Sequence, residues 1–102
     1  MTNSLRGEAE IFVHGERLKL RPSFAALVTA EDELGPLFAL VERAAAGELR
    51  LAEMAALFWH CRRDWPEAVT REDVGEAIAA QGLVAVTPAL KTILGQILSG
   101  RG

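Results

Sequence analysis

Near its start the chain alternates apolar and polar side chains. Ile11 and Val13 alternate with Glu10 and Phe12, and Leu18 and Leu20 alternate with Arg17, Lys19 and Arg21. A period of two residues places each apolar set on one face of an extended strand. His14 and Gly15 lie between the two runs, so the pattern predicts a β-hairpin over about 7–21. Gly15 supplies the positive φ of a tight turn, and His14 is read as a turn residue rather than a ligand. A two-stranded hairpin is marginal in water, so its apolar face must lie on helices.

After Pro22 the period changes. Ser23 is placed to cap a first helix running to about Leu34 and stopped by Gly35, with Phe24, Leu27, Val28 and Leu34 as its apolar stripe. Pro36 suits the first position of a second helix with Leu37, Leu40, Val41 and Ala44 on one side and Gly47 at its end. A third helix is expected over 51–63, burying Met54, Leu57, Phe58 and Cys61 and ended by Asp64, Trp65 and Pro66. Thr70 with Asp73 reads as a capping box for a fourth helix that carries Val74, Ala77 and Ile78 and stops at Gly82. A break over 82–86 then precedes a fifth, with Thr87 as cap, Pro88 in its first turn, and Leu90, Ile93, Leu94, Ile97 and Leu98 aligned. The expected class is mainly α with an N-terminal β-hairpin (α+β), a compact bundle of about five short helices over 22–99. Its 102 residues are expected to form a single domain, 1–102.

Composition supports the helices, since 17 Ala and 14 Leu stand against 7 Val and 4 Ile. A net charge of -3 gives no general drive toward phosphate or anionic membrane. Neither nucleic acid nor membrane is therefore expected as a partner. The uncharged stretch 77–90 is interrupted by Gly82 and Pro88 and is too short to cross a bilayer. One cysteine, Cys61, cannot form an internal disulfide, and a cytoplasmic location is expected. The opening MTNSLRGEAE reads as a polar lead-in to the first strand.

Candidate chemistry is sparse. His60 and Cys61 are adjacent, which on a helix turns their side chains about 100° apart and prevents a nucleophile–base pair. With one Cys and no HxxxH spacing, no metal site is expected, and the scattered glycines form no phosphate loop. No cofactor and no enzymatic activity are expected. In the run Glu31, Asp32, Glu33, the last two read as a solvated helix end. Glu31 falls in the middle of the Phe24, Leu27, Val28 stripe, so it is expected to face inward, tied to Arg43, to Arg62 or to backbone N–H groups, or else to serve a partner.

Helices four and five invite a helix-turn-helix reading, but Lys91 is the only cation on the would-be recognition helix. The alternative function, a small cytoplasmic helical regulatory or DNA-associated module, would need a basic face, and none is visible along the sequence.

The order of segments resembles a known family. Gly7-Glu8 opens a strand, His14-Gly15 turns, Leu18-x-Leu20 follows, and Ala26-Leu27-x-x-Ala30-Glu31 closes on Leu34-Gly35. Leu37-x-x-Leu40-x-x-Arg43, then Gly47-Glu48-Leu49, then Met54 and Leu57 continue the series. This line-up is similar to the small tail protein of gene transfer agents and siphophage-like prophages, classed among phage tail assembly chaperones. It departs from that family at Ala30, where leucine is usual, and over 62–66, where a glycine-rich helix end is usual. The resemblance implies a non-enzymatic role in tail morphogenesis, holding the tape measure protein soluble while tail tube protein polymerises around it. Partners would be the tape measure or tail tube protein, with a homo-oligomer left open and association with the tail allowed.

A partner surface can be sought among apolar residues that leave the core stripes. Trp59 lies about 120–150° from the centre of the third helix's stripe at 100° per residue, so it either packs sideways under Trp65 and Pro66 or anchors another chain. Trp59 and Trp65, with Ile97 and Leu98 at the end of the fifth helix and Glu31, are the candidate contact residues.

Overall fold

A computed structural model of the protein describes residues 8–99. Gly7 and the lead-in before it lie outside the described residues. Strands β1 (Ala9–Val13) and β2 (Glu16–Leu20) pair antiparallel, with Val13 opposite Glu16 across the turn. His14 and Gly15 both have positive φ, 54° and 77°, the signature of a two-residue turn whose twist suits the hairpin. Ile11, Val13, Leu18 and Leu20 are buried, and Glu10, Phe12, Arg17 and Lys19 face outward. The buried face lies on the two C-terminal helices, which complete a hairpin that could not stand alone.

Helix α1 (Phe24–Leu34) starts where expected, the Ala26 N–H donating to Ser23 Oγ, and ends on Gly35 at φ 85°. Its inward face differs from the one expected. Ala30 is fully buried, with Ala26, Leu27 and Leu34 packed beside it, whereas Phe24 is 84% exposed. Alanine lets α1 approach the central helix closely, and that approach, rather than the largest side chains, sets its rotation. Glu31 is in consequence exposed, not inward. Helix α2 (Leu37–Ala45) buries Leu40 and Val41, with Pro36 one place earlier than expected, at the cap.

Helix α3 (Leu51–His60) is the centre of the molecule. Five consecutive residues, Met54 to Phe58 in sequence, are buried, because α1 and α4 pack on it from different sides. It ends three residues before the expected 63. Cys61 caps it, and Arg62–Arg63 form a short strand, β3, pairing with β2. The chain leaves the helix because β2 has a free edge: the Arg21 N–H donates to Cys61 O at 2.7 Å, and Arg62 Nη1 satisfies Trp59 O at 2.8 Å.

Helix α4 (Arg71–Gln81) opens with the expected reciprocal box. The Asp73 N–H donates to Thr70 Oγ1 and the Thr70 N–H to Asp73 Oδ2. Gly82, at φ 92°, is the whole of the break that follows. Helix α5 (Leu83–Ser99) then runs for 17 residues with Pro88 inside it. The expected break over 82–86 and the cap at Thr87 are thus incorrect, and α5 is not short. Burial of Val86 and Ala89 against the core holds the segment helical, and the Thr87 hydroxyl bonds back to Leu83 O instead of capping. Among the described residues the architecture is otherwise the expected one, five helices with an N-terminal antiparallel hairpin.

Candidate functional site

Two of the candidate residues meet at the corner where α3 turns into β3. Asp64 takes the left-handed conformation, φ 55°, and this swings Trp65 back toward the sheet. Its indole Nε1 donates to Lys19 O at 2.6 Å, occupying a carbonyl of β2 beside the short β3. The ring of Trp59 meets that of Trp65 edge-on, centroids 6.1 Å apart at 71°. Trp59 therefore packs sideways against Trp65, one of its two expected fates. Both rings stay half-buried. The Arg62 guanidinium stacks 3.8 Å above the Trp59 ring. The stacked pair forms a ridge between two open concavities, one of about 410 Å³ toward Asp64, Trp65 and Glu67, the other of about 480 Å³ toward Ser23, Thr29 and His60.

Ile97 and Leu98 lie elsewhere. With Phe38 of α2 they line a concavity of about 210 Å³ that shares no residue with the tryptophan corner. Leu98 is 56% and Phe38 68% exposed, so this is an apolar patch open to solvent. Glu31 belongs to neither group. Its Oε2 accepts the Leu37 N–H at 3.1 Å, supplying the cap that Pro36 cannot give to the start of α2. Of the tethers expected for it, the backbone N–H is the one found. Arg43 pairs instead with Glu53 and Arg62 covers Trp59.

Glu33, read from the sequence as part of a solvated helix end, is the hub of an ion cluster. One carboxylate oxygen accepts from Arg71 of α4 and the other lies 2.8 Å from His60 Nε2 of α3. The Arg71 contact, helped by His60, lowers its pKa from 4.5 to about 2. Three helices are tied at this point, a connection no sequence spacing could reveal. Cys61 is fully buried, and burial pushes its pKa up to about 12, keeping a neutral thiol. Among the described residues no three His, Cys, Asp or Glu side chains converge as a metal site. No described helix is long and apolar enough to cross a membrane.

The cations are distributed less evenly than the sequence suggested. Strand pairing brings Arg62 and Arg63 beside Arg17, Lys19 and Arg21, so the fold assembles a basic edge that the linear pattern did not show.

Comparison with known families decides the kind of protein this is. Residues 6–100 match the family model described as "Phage tail tube protein, GTA-gp10". The chain belongs to that family. The expected membership of the gene transfer agent and phage tail group is thereby met at the level of a tail protein. No curated protein and no solved structure matches the chain.

Proposed function

We propose that this tail protein acts during assembly, as a non-enzymatic chaperone that engages the tape measure or tail tube protein in the cytoplasm of the cell building the tail. The observation that carries the reading, beside family membership, is the distribution of large apolar side chains. Phe24, Phe38, Val84 and Leu98 are each more than half exposed although the core beneath them is closed. Where such side chains are contiguous, as Phe38 and Leu98 are with Ile97, they mark a protein contact surface. Among the five candidate residues, Trp59, Ile97 and Leu98 present apolar surface to a partner. Trp65 and Glu31 have their polar atoms engaged within the fold, and act by holding their neighbours in place.

The family description favours a second reading, a subunit that stays in the tail tube. A tagged copy expressed with a complete tail gene cluster separates the two. Capture of the tape measure or tube protein from the lysate, with the chain missing from purified particles, supports the chaperone. Recovery in particles at a stoichiometry matching the tube overturns it. A Trp59→Ala protein that stays folded yet captures its partner as well as wild type would remove Trp59 from the contact surface.

A further inference from the structure

On the solvent side of the sheet, strand alternation aligns Phe12, Arg17, Lys19 and Arg63, with Lys19 and Arg63 as direct register partners. Like charges opposite one another on neighbouring strands repel. The nearby carboxylates offset this weakly: Glu10 is 3.7 Å from Arg17, and Asp64, 81% exposed, is 3.4 Å from Arg63. The Arg17 guanidinium lies over the ring of Phe12, 5.5 Å from its centroid, and that ring is 48% exposed. The face therefore presents an aromatic knob bordered by Arg17 and Lys19 on β2 and by Glu10, the register partner of Lys19, on its own strand.

A complementary feature lies on other elements. Helices α3 and α4 leave an apolar groove of about 370 Å³ floored by Leu51, Ala55 and Gly75 and rimmed by Glu72 and Glu76, while Arg71 at its side is held by Glu33. Glu72 and Glu76 make no ion pair among the described residues. Gly75 keeps the floor open. A glycine inside a helix weakens it relative to alanine, and packing does not require one here, since a Cβ would meet Ala55 Cβ at an ordinary 3.9 Å.

We propose that the outer sheet face of one copy docks on the α3–α4 groove of a second copy, Phe12 seating over Gly75 while Arg17 and Lys19 meet Glu72 and Glu76. The inference is independent of the chaperone reading. Because the two faces share no residue, the contact is heterologous and leaves each copy with one face of each kind free, so it propagates into a ring or an open chain. A nucleic-acid strand suits the sheet face less well, because Glu10, Asp64 and the acidic remainder of a chain of net charge -3 repel a long polyanion.

Sedimentation velocity on the full chain tests this with two charge-reversed proteins, Arg17→Glu/Lys19→Glu and Glu72→Lys/Glu76→Lys, each checked for folding by circular dichroism. Wild type should associate with rising concentration at about 50 mM salt and dissociate at about 0.5 M. Each variant alone should be monomeric, whereas an equimolar mixture, which pairs native face with native groove and reversed face with reversed groove, should recover salt-sensitive association. Gly75→Ala should raise the melting temperature by about 2–8 °C and weaken association several-fold, a pair of opposite effects that does not depend on the charge variants folding. Wild type that is monomeric at about 1 mM in low salt, or that stops at a symmetric dimer, overturns the proposal. So does a monomeric wild type whose sheet face retains an oligothymidylate probe.

Discussion

Glu31 and Glu33 stand two positions apart on α1, yet their environments could not be ranked from the sequence. Glu31 caps α2, so Glu31→Gln, which keeps an acceptor oxygen and loses only the charge at a helix start, should lower stability by about 0.3–0.5 kcal/mol. Glu31→Ala, which orphans the Leu37 N–H, should lower it by about 1 kcal/mol; urea titrations separate the two. Glu33 carries the pH dependence. Its folded pKa of about 2 lies below the ordinary 4.5, so its contribution is present above about pH 4.5 and is lost as pH falls toward 2. With Glu33 and Arg71 respectively 39% and 41% exposed, solvent screening reduces that contribution to on the order of 1 kcal/mol. Glu33→Gln should therefore be less stable than wild type by about that amount at pH 7, the gap closing near pH 2, as followed by urea unfolding at both values. Both residues were legible as helical, but their partners were not. Leu37, His60 and Arg71 come near them only through the tertiary packing of α1, and that packing follows the small Ala30 rather than the large Phe24 and Val28.

Elements whose boundaries are set by local chemistry were readable, and those set by distant partners were not. The hairpin, the Ser23 cap and the Thr70/Asp73 box depend on residues within four positions of one another. The end of α3 depends on the free edge of β2, some forty residues away in sequence, and the start of α5 depends on burial of Val86. Each case gives an expectation. Thr70→Ala should cost about 1 kcal/mol by thermal unfolding, because it leaves the Asp73 N–H at the start of α4 without its acceptor. Pro88 lies six residues into α5, where an N–H would otherwise reach Val84 O. Pro88→Ala restores that bond and should stabilise the protein by about 1–2 kcal/mol, the penalty of an interior proline less the greater freedom gained by the unfolded chain. If Pro88→Ala is destabilising instead, the helix does not run unbroken through that position.

For the whole molecule, hydrophobic pattern predicts a core but cannot say which apolar residues the fold keeps for itself. Of the four phenylalanines, Phe58 is fully buried, whereas Phe12, Phe24 and Phe38 are 48%, 84% and 68% exposed. All four sit in amphipathic stretches, and helical spacing counted Phe24 with the core. The distinction arises because α3 is packed by both α1 and α4, while α1 lies on α3, and α2 on α1 and α5, each by one face. Truncation should separate the two classes sharply. Phe58→Ala empties the centre of the packing and should cost about 3–5 kcal/mol, a large share of the roughly 5–15 kcal/mol that holds a domain of this size together, so the protein should be substantially destabilised at 37 °C. Phe24→Ala and Phe38→Ala remove side chains that are mostly in water already and should change stability by no more than about 0.5 kcal/mol. Chemical denaturation of the three proteins makes the comparison. Loss of stability in Phe38→Ala comparable to that in Phe58→Ala would place Phe38 inside the fold and deprive α2 and α5 of their open patch. Preserved stability with loss of partner capture would show that α2 keeps this aromatic in solvent for another chain.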